Sequence, residues 1–141
     1  MKILRNRTKA RPPLDALARR SSSAKAARAD EVDRHLPLRP VAFAVLAALA
    51  DGPRPGIDIL DQVNATVPGR PLLGPGTLYR LMRELRDQAL TARTDTAPGV
   101  NDDRQTYHAL TGLGSAVLAA ECDRLSRTMK LAKSALPARP R

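Results

Sequence analysis

Aromatic side chains are scarce, at 2% of the 141 residues: no tryptophan, one phenylalanine (Phe43) and two tyrosines. A sandwich or barrel draws on aromatic and β-branched residues to fill a pleated surface. With 43% of the chain apolar, the core has to come from Ala, Leu and Val, which pack best between helices, so the expected fold is mainly α. A single cysteine, Cys122, excludes an internal disulfide and fits a reducing compartment, hence an expected cytoplasmic location. The longest apolar run, Val41 to Ala50, is too short to span a bilayer and suits a core helix. No signal peptide with a small-residue cleavage site is read.

Acidic residues are few beside basic ones: 24 Lys and Arg against 14 Asp and Glu, a net charge of +10 and a pI near 11.0. Such a balance favours a polyanion as partner, because each phosphate neutralised releases counterions. The excess is uneven, with ten basic against four acidic residues over 1–35 and fourteen against ten over the rest. Residues 1–35 therefore read as a basic, disordered arm, although Leu14 to Ala29 can become helical on a partner. Its Arg- and Ser-rich composition superficially resembles an organellar transit peptide.

Beyond the arm, a first helix is expected from Pro40 to Ala50, stopped by Asp51-Gly52-Pro53. A second starts near Pro55, carries Ile57, Leu60, Val63 and Val67 at helical spacing, and ends at Pro68-Gly69. The third runs from Gly76 to about Ala89. Leu78, Leu81, Met82, Leu85 and Ala89 share one face of it; Thr77, Arg80, Arg83, Glu84 and Asp87 share the opposite face. Two strands follow, Leu90 to Thr94 and Gln105 to Leu110, around a turn-rich segment. That order makes a winged helix-turn-helix with a three-helix core and a two-stranded wing over residues 36–110. A last helix opens at Thr111, a good N-cap, and continues to about Leu136, before a short tail over 137–141. On it Leu118, Cys122, Leu125, Met129, Ala132 and Leu136 repeat at spacings of four and three, a heptad seam. The seam can pack within the chain, but a helix this long at the end of a small domain points to dimerisation.

Nothing in the chain has the pattern of an enzyme. His35 and His108 stand far apart, no metal-ligand cluster or cofactor motif forms around one cysteine, and Gly74-Pro75-Gly76 lacks the Lys-Ser/Thr of a phosphate loop. The third helix does have a pattern: an apolar side to lock it down and arginines on the other. Arg80 and Arg83 can grip guanine edges or phosphates, and Thr77 can reach a phosphate or a thymine methyl.

The run Leu72-Leu73-Gly74-Pro75-Gly76-Thr77-Leu78-Tyr79-Arg80-Leu81 resembles the stretch around the recognition helix of the PadR family of transcriptional regulators. Leu46 to Leu49, Gly52-Pro53, Gly56 and Ile59 extend the likeness upstream; Leu85, Leu90, Arg104, Tyr107, Leu110-Thr111 and Gly114 extend it downstream. In all it spans about Leu36 to Leu136. The resemblance implies a homodimer that binds double-stranded, palindromic operator DNA and represses. By position it makes Thr77, Tyr79, Arg80, Arg83 and Arg104 the DNA contacts, with the Tyr79 hydroxyl either on a phosphate or packed against the second helix. Two departures stand out. Ile57 replaces a usual tyrosine, and Asn101-Asp102-Asp103 makes a usually basic wing acidic. With so few aromatics a stacking pocket is poorly supported, and any small-molecule effector stays unidentified. Cys122 reads as a buried, inert thiol or as the seat of an interchain disulfide. Two other classes compete with a sequence-specific regulator: a basic architectural DNA- or RNA-binding protein, and a winged helix used only for protein association.

Overall fold

The computed structural model describes residues 13–66, 69–94 and 106–139. They fall into two compact units, divided between Glu31 and Val32. Five helices and three strands are present among them: α1 (Leu14–Asp33), α2 (Pro40–Ala48), β1 (Arg54–Pro55), α3 (Gly56–Ala65), α4 (Pro75–Asp87), β2 (Thr91–Thr94), β3 (Tyr107–Leu110) and α5 (Gly112–Ala135). The architecture is mainly helical, as composition requires.

Much of the N-terminal arm is helix rather than irregular chain. Its alanines and long basic residues favour helix by intrinsic propensity, yet they lay down no apolar stripe: Leu14 and Leu17 are exposed, and Val32 is the buried residue of α1. Periodicity therefore gives no signal here, while propensity does.

In the second unit α2, α3, α4 and the first half of α5 enclose one core. Val45, Leu46, Leu49, Ile59, Met82, Leu85, Leu90 and Val117 lie at its centre. α2 is buried along most of its length, as its composition predicts. On α3 the buried positions are Ile59 and Val63 and Leu60 is half-buried, whereas Ile57 is 63% exposed; the inward face keeps 60 and 63 of the expected set and takes 59 in place of 57. Val67 and Pro68 lie outside the described residues.

The three strands form one antiparallel sheet in the order β1-β3-β2. β1 is an addition to the expected two-stranded wing. It has two residues, one of them a proline that cannot donate to a ladder, and it sits at an edge, where proline is tolerated. So short a strand leaves no alternation to read.

α4 ends two residues earlier than its pattern suggests. Ala89 lies beyond the helix with a φ of 59°, and the Ala89 and Leu90 N–H groups donate to the carbonyls of Arg86 and Leu85, each at 2.9 Å. This is a Schellman cap, with buried Leu90 over buried Leu85 and an alanine where glycine is favoured. The left-handed conformation costs a Cβ-bearing residue about 1–2 kcal/mol. Ala89 is exposed, so Ala89→Gly is expected to raise stability by about 0.5–1 kcal/mol after the larger chain entropy of glycine is offset. Chemical denaturation would show it as a higher midpoint at unchanged slope.

Candidate nucleic-acid interface

The outer face of α4 is created by what its inner face buries. Pro75 sets the first turn, and Leu78, Leu81, Met82 and Leu85 are 2–6% exposed. Thr77, Tyr79, Arg80 and Arg83 are consequently exposed together on the outside. Tyr79 is 76% exposed, so it is not buried against α3. Arg104 lies outside the described residues, as does the acidic stretch 101–103 of the wing.

Charge on this face is arranged in favour of the cations. Glu84 is held at 2.7 Å by Arg39, the residue that precedes α2. Among the described residues neither Arg80 nor Arg83 has a carboxylate partner. Both guanidinium groups are thus open to an external anion or base edge. The Arg39–Glu84 pair is solvent-exposed and adds little to stability; its consequence is electrostatic, a carboxylate engaged away from the arginines.

The approach of α4 is set by Asn64, near the end of α3. Its side-chain amide donates to the Leu73 carbonyl and accepts from the Leu73 N–H, both at 2.9 Å. One side chain so satisfies both backbone groups of a residue two positions before α4 begins. Asn64→Ala strands both partly buried groups and is expected to cost about 2 kcal/mol, read as a lowered melting temperature. Loss of DNA affinity beyond that of the unfolded fraction would show that the angle of α4 also depends on the clamp.

A second tie joins α5 to the segment before α2. Glu121 is fully buried; its carboxylate accepts the Leu38 N–H at 2.8 Å and Arg124 Nε at 2.6 Å, with the Arg124 guanidinium in ion-pair contact. Burial opposes its ionisation, but the hydrogen bonds from Arg124 and Leu38 and the charge of Arg124 outweigh it, and the carboxyl sits below the ordinary glutamate value. Sequence analysis overlooks Glu121. Its trace there is an acid one turn beyond Val117 on the face that enters the core.

The predicted seam divides along α5. Leu118 is buried in the core of its own chain and Leu125 is half-buried. Cys122, Met129, Ala132 and Leu136 are exposed, as is Leu131 beside them. Among the described residues no cluster of His, Cys, Asp or Glu could hold a metal, and no helix is long and apolar enough to cross a membrane.

With this geometry in view, the comparison with known families is decisive. The pattern that defines the transcriptional regulator PadR-like family matches residues 45–120, more than half of the chain, and takes in α3, α4, the sheet and the start of α5. The chain belongs to the PadR-like family. Its business is DNA-binding transcription regulation. Solved structures share the fold: a PadR family transcription regulator from Clostridium difficile is 18% identical, with a TM-score of 0.58 over 67% of this chain and 95% of that one. A transcriptional regulator from Clostridium thermocellum is 18% identical, with a TM-score of 0.56 over 69% and 90%. A ZitR variant from Lactococcus lactis is also 18% identical at a TM-score of 0.56, but this PadR-like chain, through 69% of its own length, spans 59% of it. No functionally curated protein matches.

Proposed function

We propose that this PadR-like protein is a homodimeric repressor, acting in the cytoplasm, that reads an inverted-repeat operator through α4. The observation that carries the proposal is the joint exposure of Arg80 and Arg83, unpaired among the described residues, on a helix whose opposite side is locked into the core. Such a face suits the major groove, where arginine recognises guanine with two hydrogen bonds. Thr77 and Tyr79 lie beside them and serve as phosphate or methyl contacts; Arg104 would add a contact from the wing.

Dimerisation is supported by the apolar side chains that α5 leaves in solvent beyond the core, Met129, Leu131 and Leu136. A second copy of the helix covers them most simply, and it places two α4 helices for two half-sites.

Binding selection from random double-stranded DNA at physiological salt tests the reading. An enriched inverted repeat is expected, preferred over unrelated DNA by about a thousandfold or more. Featureless enrichment would replace it with an architectural role. The basic N-terminal segment is assigned to the phosphate backbone: deleting residues 1–30 is expected to flatten the dependence of log affinity on log salt, and an unchanged slope would remove that assignment.

A further inference from the structure

The serine run at the centre of α1 is not used by the fold. Ser21, Ser22 and Ser23 are exposed, and none of their hydroxyls makes a hydrogen bond among the described residues. By contrast the hydroxyls of Thr66, Thr111, Thr128 and Ser134 each donate to a backbone carbonyl. Serine disfavours a helix interior, and the buried residue of α1 is Val32, close to its end. Three serines in a row therefore weaken a helix that little else holds, and α1 can open around them at small cost.

Charge around the run is one-sided. Between positions 19 and 28 the chain carries Arg19, Arg20, Lys25 and Arg28 and no acid. All four are exposed, and among the described residues none is ion-paired. Position singles out Ser22: Arg19 and Lys25 lie three residues before and after it, each one helical turn away. Ser21 has Leu17 and Ala18 one turn before it, and Ser23 has Ala26 and Ala27 one turn after. Ser126, an exposed serine of α5, has Asp123 where Ser22 has Arg19.

We propose that Ser22 is a phosphorylation site for a serine kinase whose peptide groove carries carboxylates, and that the phosphate cancels the positive charge at the centre of α1. Arginine pairs with carboxylate through two parallel bonds, so Arg19 and Arg20, three and two residues before the acceptor, are what such a groove grips. The phosphoryl donor is a nucleoside triphosphate. The Ser22 oxygen bonds to its γ-phosphorus, and the bond from that phosphorus to the β–γ bridging oxygen breaks. The nucleoside diphosphate leaves with the electron pair, and the hydroxyl proton passes to the kinase's base. Phosphoserine carries about −1.5 to −2 charges at neutral pH, and Arg19 and Lys25 pair with it from either side. On the reading that this segment tracks the DNA backbone, the modified helix loses part of its hold on phosphate; the acceptor site itself does not depend on that reading.

The full chain is incubated with magnesium ATP and a purified serine kinase that prefers arginine at those two positions, the cyclic-AMP-dependent kinase, and its mass and fragments are measured. One phosphoryl group is expected, on Ser22. Ser22→Ala is expected to remove it, and Arg19→Ala with Arg20→Ala to slow the transfer by about tenfold or more. All three positions are exposed, so melting temperatures should stay unchanged. The same phosphopeptide is expected in the chain recovered from the cells that naturally make it. Phosphorylation is expected to lower the slope of log DNA affinity against log salt by about one to two. The proposal is overturned by absent transfer, by transfer to another residue in preference, by a rate indifferent to both arginines, or by a native chain without the phosphate. It is also overturned by a slope that phosphorylation leaves unmoved although deletion of residues 1–30 lowers it. If that deletion leaves the slope unmoved, the backbone assignment alone fails, and Ser22 stands on the transfer and the native phosphopeptide.

Discussion

Gly114→Ala is expected to destabilise the winged helix by about 3 kcal/mol or more, a large share of what a domain of this size has to lose. A Cβ on Gly114 would lie 1.9 Å from the Leu90 carbonyl oxygen and 2.9 Å from the carbon that carries it. Both are backbone atoms, and neither side is free to retreat. The Leu90 carbonyl accepts the Thr111 N–H at 3.1 Å, its N–H is tied to Leu85 in the cap of α4, and its side chain is wholly buried. On the other side, the Gly114 N–H donates to the Thr111 hydroxyl at 2.9 Å, which in turn donates to the Ala89 carbonyl at 2.6 Å. One methyl group therefore strains the end of α4, the start of β2 and the N-cap of α5 together. Gly76→Ala is the contrast: nothing lies within 4 Å of its Cβ, and in the first turn of α4 it is expected to be neutral or stabilising by up to about 1 kcal/mol. Thermal melting of the two variants would separate them. A Gly114→Ala protein that melts close to the parent would refute the packing described.

Replacing Arg80 and Arg83 together by alanine is expected to leave folding intact and reduce specific DNA affinity by about a hundredfold or more. Both side chains are exposed and unpaired among the described residues, and surface substitutions of that kind move stability by about 0.5 kcal/mol or less. Each bidentate arginine–guanine contact contributes about 1–3 kcal/mol of discrimination, and two together account for the loss. Arg80→Lys and Arg83→Lys separate charge from geometry. Lysine keeps the attraction to phosphate but lacks the planar fork, so the lysine pair should recover binding to unrelated DNA more than binding to the operator. Titrations of matched and shuffled duplexes at one salt concentration read both effects.

These expectations were open to inspection in the sequence to differing degrees, and the difference is one of range. The inward and outward faces of α4 follow from 3.6-residue periodicity, and Thr111 follows from the chemistry of helix caps. Both are local, and both are found where the residues put them. Ala89 deceived the pattern because an alanine one turn past Leu85 looks like the next member of the stripe, whereas the helix has already closed in a left-handed cap. Asn64 and Glu121 were invisible for another reason. The partner of Asn64 is nine residues away across a turn and one partner of Glu121 is 83 residues away, and no local regularity announces a hydrogen bond over such distances. Leu118 shows the limit of a heptad: the repeat places it with Cys122 and Met129, but the start of α5 lies against its own core and claims that leucine first.

The claim beneath the functional reading is that the arginine side of α4 meets base edges. A double-mutant cycle measures it directly, pairing Arg80→Ala or Arg83→Ala with replacement of each guanine in the selected half-site and reading affinity at constant salt. A coupling of about 1–3 kcal/mol between at least one of these arginines and one particular guanine is the expected result. Additive losses at every guanine, for both arginines, would mean that α4 touches DNA without reading it.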